Sequence, residues 1–566
     1  MLLPAKRRSL APIVAVALAL SACAGDGDSL PAAAETEPVT EAAVQPETAT
    51  ATDTQTVLFG DDQEPLVLNA LLLDGASEAT GQIFHQVYPG AYAVQGDFTF
   101  QPWLLDGEAV VTEDPFSVTY TIRDEAAWSD GTPITVDDLV FTWNLHDPAA
   151  SHADQIVSRA GYELIAGYTA ADDKTVTFAF TEPYAPWKSL FANVLPAHVL
   201  EGEDFATVLN DELPAVSGGP FVFDSWNRGT QLKLVANPTY WAGEVAVDEL
   251  IFRYVPDSAT LQQQLAGGEV DVADPQPQLD LVEQLGRSSD LLTYETGFGP
   301  VWEHIDFNTA VDGLDRDYVR QAIALGIDRE RIVDTLVRDV DPDAEVLDNP
   351  FWMANSDNYE PVFDRYTHDP EAAIELLEAQ GCERAEDGIF VCDDTRLSYR
   401  ITTMSGNERR ELTEELVQDD LARIGVEITI ANIDGAQFGE IMRTPDDCGG
   451  ACDYDLVLFA WVGSTDPSGN ANIYGCDAGA PRPQNATGYC SDEVTSLMDE
   501  ANRTVDLDTN ARLWNDAARA MAADVPIIPL FQHPLLMAWN RALEGPHLNP
   551  AAAMQTWNAG TWAWRS

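Results

Sequence analysis

The chain has 566 residues, 94 of them acidic and 30 basic, for a formal net charge of −64. A charge of that size repels nucleic acid and anionic headgroups, so neither is a partner. Because it is spread along the whole chain, it reads as solubility in an exposed or salty environment, with a secondary pull on cationic ligands. The length implies ~2 to 4 domains, and 14 Trp, 16 Tyr and 21 Phe supply a large core with aromatics left for a ligand cleft.

Lys6, Arg7 and Arg8 precede an apolar run from Leu10 to Leu20, and Leu20-Ser21-Ala22-Cys23 follows. A basic segment, a short apolar segment and small residues at the cut form an export signal. A Cys directly after the small residues is the bacterial lipoprotein variant, so residues 1–22 read as signal peptide and Cys23 as the lipidated N-terminus. The apolar run is shorter than the ~20 residues that a permanent span needs. Residues 23–55 hold no aromatic or basic residue and are rich in Ala, Glu, Thr and Pro. Such a stretch cannot bury a core and reads as a disordered acidic tether. The expected location is the extracytoplasmic face of the cell membrane, held by lipid.

Order begins at the strand-like Thr56-Val57-Leu58-Phe59. Phe116–Ile122 and Lys174–Phe180 alternate apolar and polar residues, the pattern of half-buried strands. Between them Thr135 should cap a helix running to Trp143, with Asp137 and Asp138 in its first turn. Further helices are predicted at Tyr318–Val337, Pro370–Ala379, Glu408–Ile424 and Asp492–Asn502, and strands at Glu427–Ala431 and Asp455–Trp461. Strands and helices mix throughout, which is an α/β class. Apart from Cys23, the cysteines fall into three close pairs, Cys382/Cys392, Cys448/Cys452 and Cys476/Cys490. In an exported chain these read as short-loop disulfides. Their spacings fit no usual zinc pattern, so no metal is assigned.

Catalytic and cofactor motifs are missing. There is no Gly-x-Ser-x-Gly, His-Glu-x-x-His, phosphate-binding Gly-x-x-x-x-Gly-Lys or Gly-x-Gly-x-x-Gly, and the 8 His are scattered. Acid pairs such as Asp137-Asp138 are too common in this chain to nominate a glycosidase dyad. The chain reads as a non-enzyme without a cofactor.

Four ordered blocks carry the positive information. The first is Ser117–Arg123, then Trp128-Ser129-Asp130-Gly131-Thr132-Pro133, Asp137-Asp138 and Phe141-x-Trp143. The second is Gly218-Gly219-Pro220-Phe221 with Ser225-Trp226 and Asn237-Pro238-x-Tyr240-Trp241. The third is Gly268-Glu269-Val270-Asp271, Phe307-Asn308-Thr309, Val319–Ile323 and Ile327-Asp328-Arg329. The fourth is Tyr454-Asp455-Leu456 through Trp461 to Asp466-Pro467. From about residue 56 onward the chain resembles the family 5 extracellular solute-binding proteins of ABC importers, the group of the dipeptide- and oligopeptide-binding proteins. The residues of the blocks themselves read mostly as scaffold, through turn chemistry and caps.

The resemblance implies a periplasmic-binding-protein type II-like fold, a two-lobed flytrap with an extra third lobe. Lobe I would comprise 56–88, 216–308 and 506–566, lobe II 89–215 and lobe III 309–505. It further implies a monomer that captures a peptide, most readily an oligopeptide, between lobes I and III. The closed form would dock on ABC permease subunits with their ATPases. Alternatives are the same role for oligosaccharides or another neutral solute, and a surface receptor uncoupled from transport.

In the peptide-binding relatives the strand of the fourth block pairs with an extended peptide as an added strand. That implies ligand contacts from Ala460, Trp461, Val462, Ser464 and Asp466, with the loop Asp74-Gly75-Ala76-Ser77 opposite on lobe I. His304 and Asp306 are secondary candidates. The Asp that holds a dipeptide ammonium is here Ser464, and no Arg near Met404-Ser405-Gly406 matches the carboxylate anchor. Losing both anchors argues against a dedicated dipeptide binder. Dipeptide-binding relatives also have a disulfide where Cys476 and Cys490 lie.

Overall fold

The computed structural model describes residues 54–275, 285, 290–434, 437–438, 454–463, 465–476, 485–551 and 555–565. Cys23, Cys448, Cys452, Ser464 and nearly all of the tether lie outside them. Gln55, assigned to the tether, is already part of the folded body. Its N–H donates to Asp248 Oδ2 at 2.7 Å, and its C=O accepts from the N–H groups of Asp248 and Glu249.

One mixed sheet of ten strands organises the body. Across it run Glu427–Ile430, Ser398–Thr402, Leu456–Val462, Leu292–Phe307, Ile527–Asn540, Val272–Ala273, Thr56–Asp61, Glu249–Tyr254, Gln231–Ala236 and Phe221–Asn227. The two middle strands are the longest, with 16 and 14 residues, and pair antiparallel from Leu292↔Asn540 to Asp306↔Ile527. Each serves more than one core. Ile527, Ile528, Leu530 and Phe531 pack in one with Trp302, Ile305 and Phe307. Met537 and Trp539 pack in another with Val57, Phe59 and Phe252. The change of core falls where the register slips, between Phe298 and Trp302 and again between Glu303 and His304. Extra residues in one strand of a pair bend it and raise its twist, and Gly299-Pro300 and Pro534 occupy this stretch.

A separate four-stranded antiparallel sheet contains Val110–Glu113, Phe116–Thr121, Thr175–Phe180 and Ile165–Ala170. Phe116–Thr121 alternates buried and half-buried residues as its sequence predicts. Its core is continuous with that of the Thr56–Asp61 half. The helix Val136–Asn144 beside it starts with the expected capping box, in which Thr135 N–H donates to Asp138 Oδ2 at 2.9 Å. Trp128 of the most specific sequence block is wholly buried, and its indole N–H donates to the same oxygen at 3.4 Å. Gly131 supplies the left-handed turn (φ 88°) that follows. That block is therefore scaffold.

Pro370–Ala379, Glu408–Ile424 and Asp492–Arg503 are helices close to their expected bounds. Tyr318–Val337 is not one helix but two, Asp317–Gly326 and Arg329–Leu336. Asp328 breaks it by capping the second piece, accepting from Arg331 N–H at 2.9 Å, while its own N–H donates to Asp420 Oδ2 at 3.0 Å. Two disulfides are described, Cys382–Cys392 and Cys476–Cys490, as the nearest-neighbour reading has them.

Glu303 sits just beyond the bend, buried to 2% exposure of its side chain, and joins three elements. Its carboxylate accepts from Arg410 Nε at 2.7 Å and lies 2.6 Å from His533 Nε2. Burial alone would raise its pKa, but His533 and Arg410 outweigh it and hold the carboxyl at about 2. A depressed carboxyl contributes stability above its unfolded value, ~4.3, and loses it as pH falls through its folded value. That contribution is on the order of 3 kcal/mol and should disappear between about pH 5 and about pH 2. Replacing Glu303 by Gln leaves Arg410 and His533 facing a neutral group, at an expected cost of about 3–5 kcal/mol near neutral pH. Urea unfolding across this pH range checks both, since the variant should lack this acid-sensitive part of the stability.

Gly219 explains the Gly-Gly-Pro block. A Cβ there would lie 2.2 Å from Gln86 O, at the end of the helix Glu78–Val87. Gly219→Ala is expected to cost about 1–3 kcal/mol through the forced shift of that helix. Gly167→Ala, whose Cβ meets open space, should stay within ~0.5 kcal/mol of wild type in the same unfolding assay.

Candidate functional site

The strand Leu456–Val462 forms because its residues are apolar and β-prone, and four of its first residues, Leu456 to Phe459, are buried. It pairs antiparallel with the bent middle strand, Ala460 opposite Glu303, Trp461 opposite Trp302 and Val462 opposite Val301. Backbone N–H and C=O groups alternate sides along a strand. Gly463 N–H donates to Pro300 O at 2.8 Å, so Trp461 and Phe459 also face the middle strand and Ala460 and Val462 face away. On that far side Leu458 O accepts from Thr403 Oγ1 at 2.8 Å. The parallel neighbour Ser398–Thr402 pairs only as far as Val457. Among the described residues nothing pairs with the outward backbone groups of Ala460 and Val462. Among the described residues the sheet therefore has an open edge at Ala460 and Val462, which the resemblance nominated.

Side chains on this strand divide between packing and exposure. Trp461 is half-buried, its ring stacked 6.1 Å from His304 and edge-on 5.0 Å from Phe459. Val462 is 68% exposed. Asp466 accepts from Ser468 N–H at 2.8 Å and caps the turn Pro467–Asn470, and burial pushes its pKa up. It has the turn role of an Asp before Pro. His304 and Asp306 lie 3.2 Å apart at 0% and 1% side-chain exposure. Both are buried, and the His304 ring packs against Phe459 and Trp461.

The Asp74–Ser77 loop lies on the other core. Asp74 and Gly75 belong to a short turn, Leu73–Gly75, and Asp74 and Ala76 are exposed. Gly75 is required by a close approach, since a Cβ would fall 2.0 Å from Asn69 O. Ser77 caps the helix Glu78–Val87, its Oγ accepting from Thr80 N–H at 3.2 Å. Its hydroxyl also lies 3.0 Å from that of Thr80, so Ser77 serves the scaffold.

Sequence reasoning passed over Arg409 and Arg410. They stand in the first turn of Glu408–Ile424, just past the Met404–Gly406 stretch that was searched for an arginine, with Asn407 as cap. Arg410 is committed to Glu303. The Arg409 guanidinium is pulled down by burial, with Glu303 opposing. The available signal was the Arg pair one residue beyond a capping Asn.

Comparison with known proteins agrees with this architecture. Residues 99–480 match the model of the bacterial extracellular solute-binding proteins, family 5 middle. The oligopeptide-binding protein OppA of Mycobacterium tuberculosis is 28% identical over 543 residues, covering 93% of this chain and 88% of that one. Among solved structures, the periplasmic EDTA-binding protein EppA superposes with a TM-score of 0.82 at 23% identity, over 91% of this chain and 97% of that one. The oligopeptide-binding protein AppA of Bacillus subtilis, bound to a nonapeptide, gives 0.71 at 23% identity, over 91% and 100%. The fold is the two-lobed periplasmic-binding-protein type II fold of these proteins, and the matched family binds solutes rather than transforming them. This chain belongs to the family 5 bacterial extracellular solute-binding proteins.

Proposed function

We propose that the chain is the lipid-anchored substrate-binding subunit of an ABC importer, taking up peptides of three residues or more. Cys23 carries the anchor, and residues 24–54 give the body reach from the membrane. Lobe I (56–88, 216–308, 506–566) and lobe III (309–505) close on the peptide, with lobe II (89–215) packed on lobe I. The closed form delivers it to the permease.

The observation that carries the peptide reading is the open edge at Ala460 and Val462. An extended peptide supplies the alternating donors and acceptors that this edge lacks, and backbone pairing reads no side chains, which suits a carrier of many sequences. Binding to both lobes favours the closed arrangement by the difference in affinity for the two states.

Thermal unfolding of the body from Thr54 onward, with di-, tri- and pentapeptides and with oligosaccharides, tests the ligand class. At ~100 Kd the right ligand should stabilise by about 2.7 kcal/mol. Stabilisation by peptides of three residues or more is the expected result, and stabilisation by sugars alone contradicts the proposal. Val462→Pro deletes an outward N–H that no described residue uses, so it should leave folding intact. Pentapeptide affinity measured by calorimetry should fall about 5- to 10-fold, the worth of one backbone hydrogen bond. Unchanged affinity would remove the strand-addition mode.

A further inference from the structure

Four carboxylates converge where two parallel strands end. Gly60 of Thr56–Asp61 is in register with Ala273 of Val272–Ala273. The next residue on each strand is acidic, Asp61 and Asp274, so these stand side by side at strand spacing, ~5 Å. Asp62 follows Asp61, and Glu78 opens the helix Glu78–Val87 directly after the Asp74–Ser77 loop. In open α/β sheets, ligands sit outside the carboxyl ends of the strands, and these four acids occupy that place.

Among the described residues no Lys, Arg or His pairs with any of the four, although Asp and Glu are otherwise widely paired in this chain. Water reaches Glu78, which is exposed, and Asp62 and Asp274, which are half-buried. Protein on their flanks still desolvates all three, as on the wall of a cleft. Burial and mutual repulsion push Asp61 up to about 7 and Glu78 up to about 8, with Asp274 also raised. The positive end of the helix works against this shift and does not overcome it.

A second observation points to a missing donor. Gln82, one turn along the helix from Glu78 and 2% exposed, turns its Nε2 to Asp274 Oδ2 at 3.5 Å, while its Oε1 has no partner. Asp61, 6% exposed, has one oxygen bonded to Gln63 N–H and the other, Oδ2, without a partner. Unpaired buried acceptors are rare in folded proteins and ask for a donor.

We propose that Asp61, Asp62, Glu78 and Asp274, with Gln82, form a subsite for a positively charged nitrogen of the bound peptide. That nitrogen is its terminal ammonium or a basic side chain. The inference rests on the peptide reading above and adds a specificity to it. An ammonium or guanidinium carries several N–H donors and no acceptor, so it gives the exposed carboxylate oxygens donors and offsets the charge of the cluster together. Asp62, Glu78 and Asp274 make the contact, and Asp61 supplies charge from beneath.

The test uses four tetrapeptides, Ala-Lys-Ala-Ala and Ala-norleucine-Ala-Ala, each with a free and an acetylated N-terminus. The cation-bearing forms are expected to bind at least ~10-fold more tightly than acetylated Ala-norleucine-Ala-Ala, since hydrogen bonds to charged groups exceed neutral ones. Whether acetylation or norleucine removes the gain identifies the nitrogen. The preference should collapse towards unity in Glu78→Gln/Asp274→Asn. Asp61→Asn, which relieves repulsion, should raise the unfolding temperature of the ligand-free protein near neutral pH and lower the same preference. Equal affinity for all four peptides, or a preference that survives the double substitution, overturns the subsite while leaving the peptide reading intact. Calcium that stabilises the ligand-free wild type but not the double variant, with no peptide preference, overturns it in favour of a metal site. Failure of every peptide to bind overturns the peptide reading itself.

Discussion

Two long strands are shared by both halves of the molecule, and this continuity constrains everything built around them. Ile527–Asn540 starts in one core and ends in another, and Leu292–Phe307 runs back beside it. The two strands leave their common register at Phe298–Val301 and Gln532–Leu535, and a motion of the halves on ligand capture, as proposed, would bend them there. A few backbone torsions suffice for such a hinge. Packing there is close, since a Cβ on Gly299 would lie 2.7 Å from Leu535 Cδ1. Glu303 sits immediately beyond, holding the helix of Arg410 and the strand of His533 to one point. The bend is thus pinned on one side by a buried charge network.

The proposed recognition surface follows from the same strands. Because Leu292–Phe307 occupies one edge of Leu456–Val462, and Ser398–Thr402 covers only the start of the other, the end of that strand is left, among the described residues, with an unused edge. The tight turn at Gly75 and the Ser77 cap aim the helix Glu78–Val87 at the ends of the parallel strands of the other half. A ligand that pairs with the edge through its backbone and meets the acids through a charge would be held by both halves. Domain closure requires such differential contact.

Much of the scaffold was legible because its signals are local. Thr135 and Asp138 spell a capping box, Phe116–Thr121 shows its alternation, and Pro370 opens its helix at the position where a missing N–H costs nothing. The Tyr318–Val337 pattern misled because apolar spacing continues across Asp328, and the break depends on Asp420, distant in sequence. Ala460 and Val462 were nominated by the resemblance, but which of their groups face outward depends on strand register, which the chain does not display. The acid cluster was illegible for a different reason. With 94 acidic residues, an Asp61-Asp62 pair is unremarked, and only strand pairing sets Asp274 beside it. Arg409 and Arg410 were visible, but their partner Glu303 is 107 residues away from Arg410.

Residue-resolved amide hydrogen exchange on the Leu456–Val462 strand, with and without a saturating pentapeptide, tests strand addition most directly. In the ligand-free protein the amides of Phe459 and Trp461, which face the middle strand, should be protected, while those of Ala460 and Val462 exchange quickly. Peptide should slow Ala460 and Val462 by at least ~10-fold, the effect of a hydrogen bond formed on a previously open edge. Fast exchange at both positions, with saturation verified by calorimetry, would contradict capture of the peptide as an added strand.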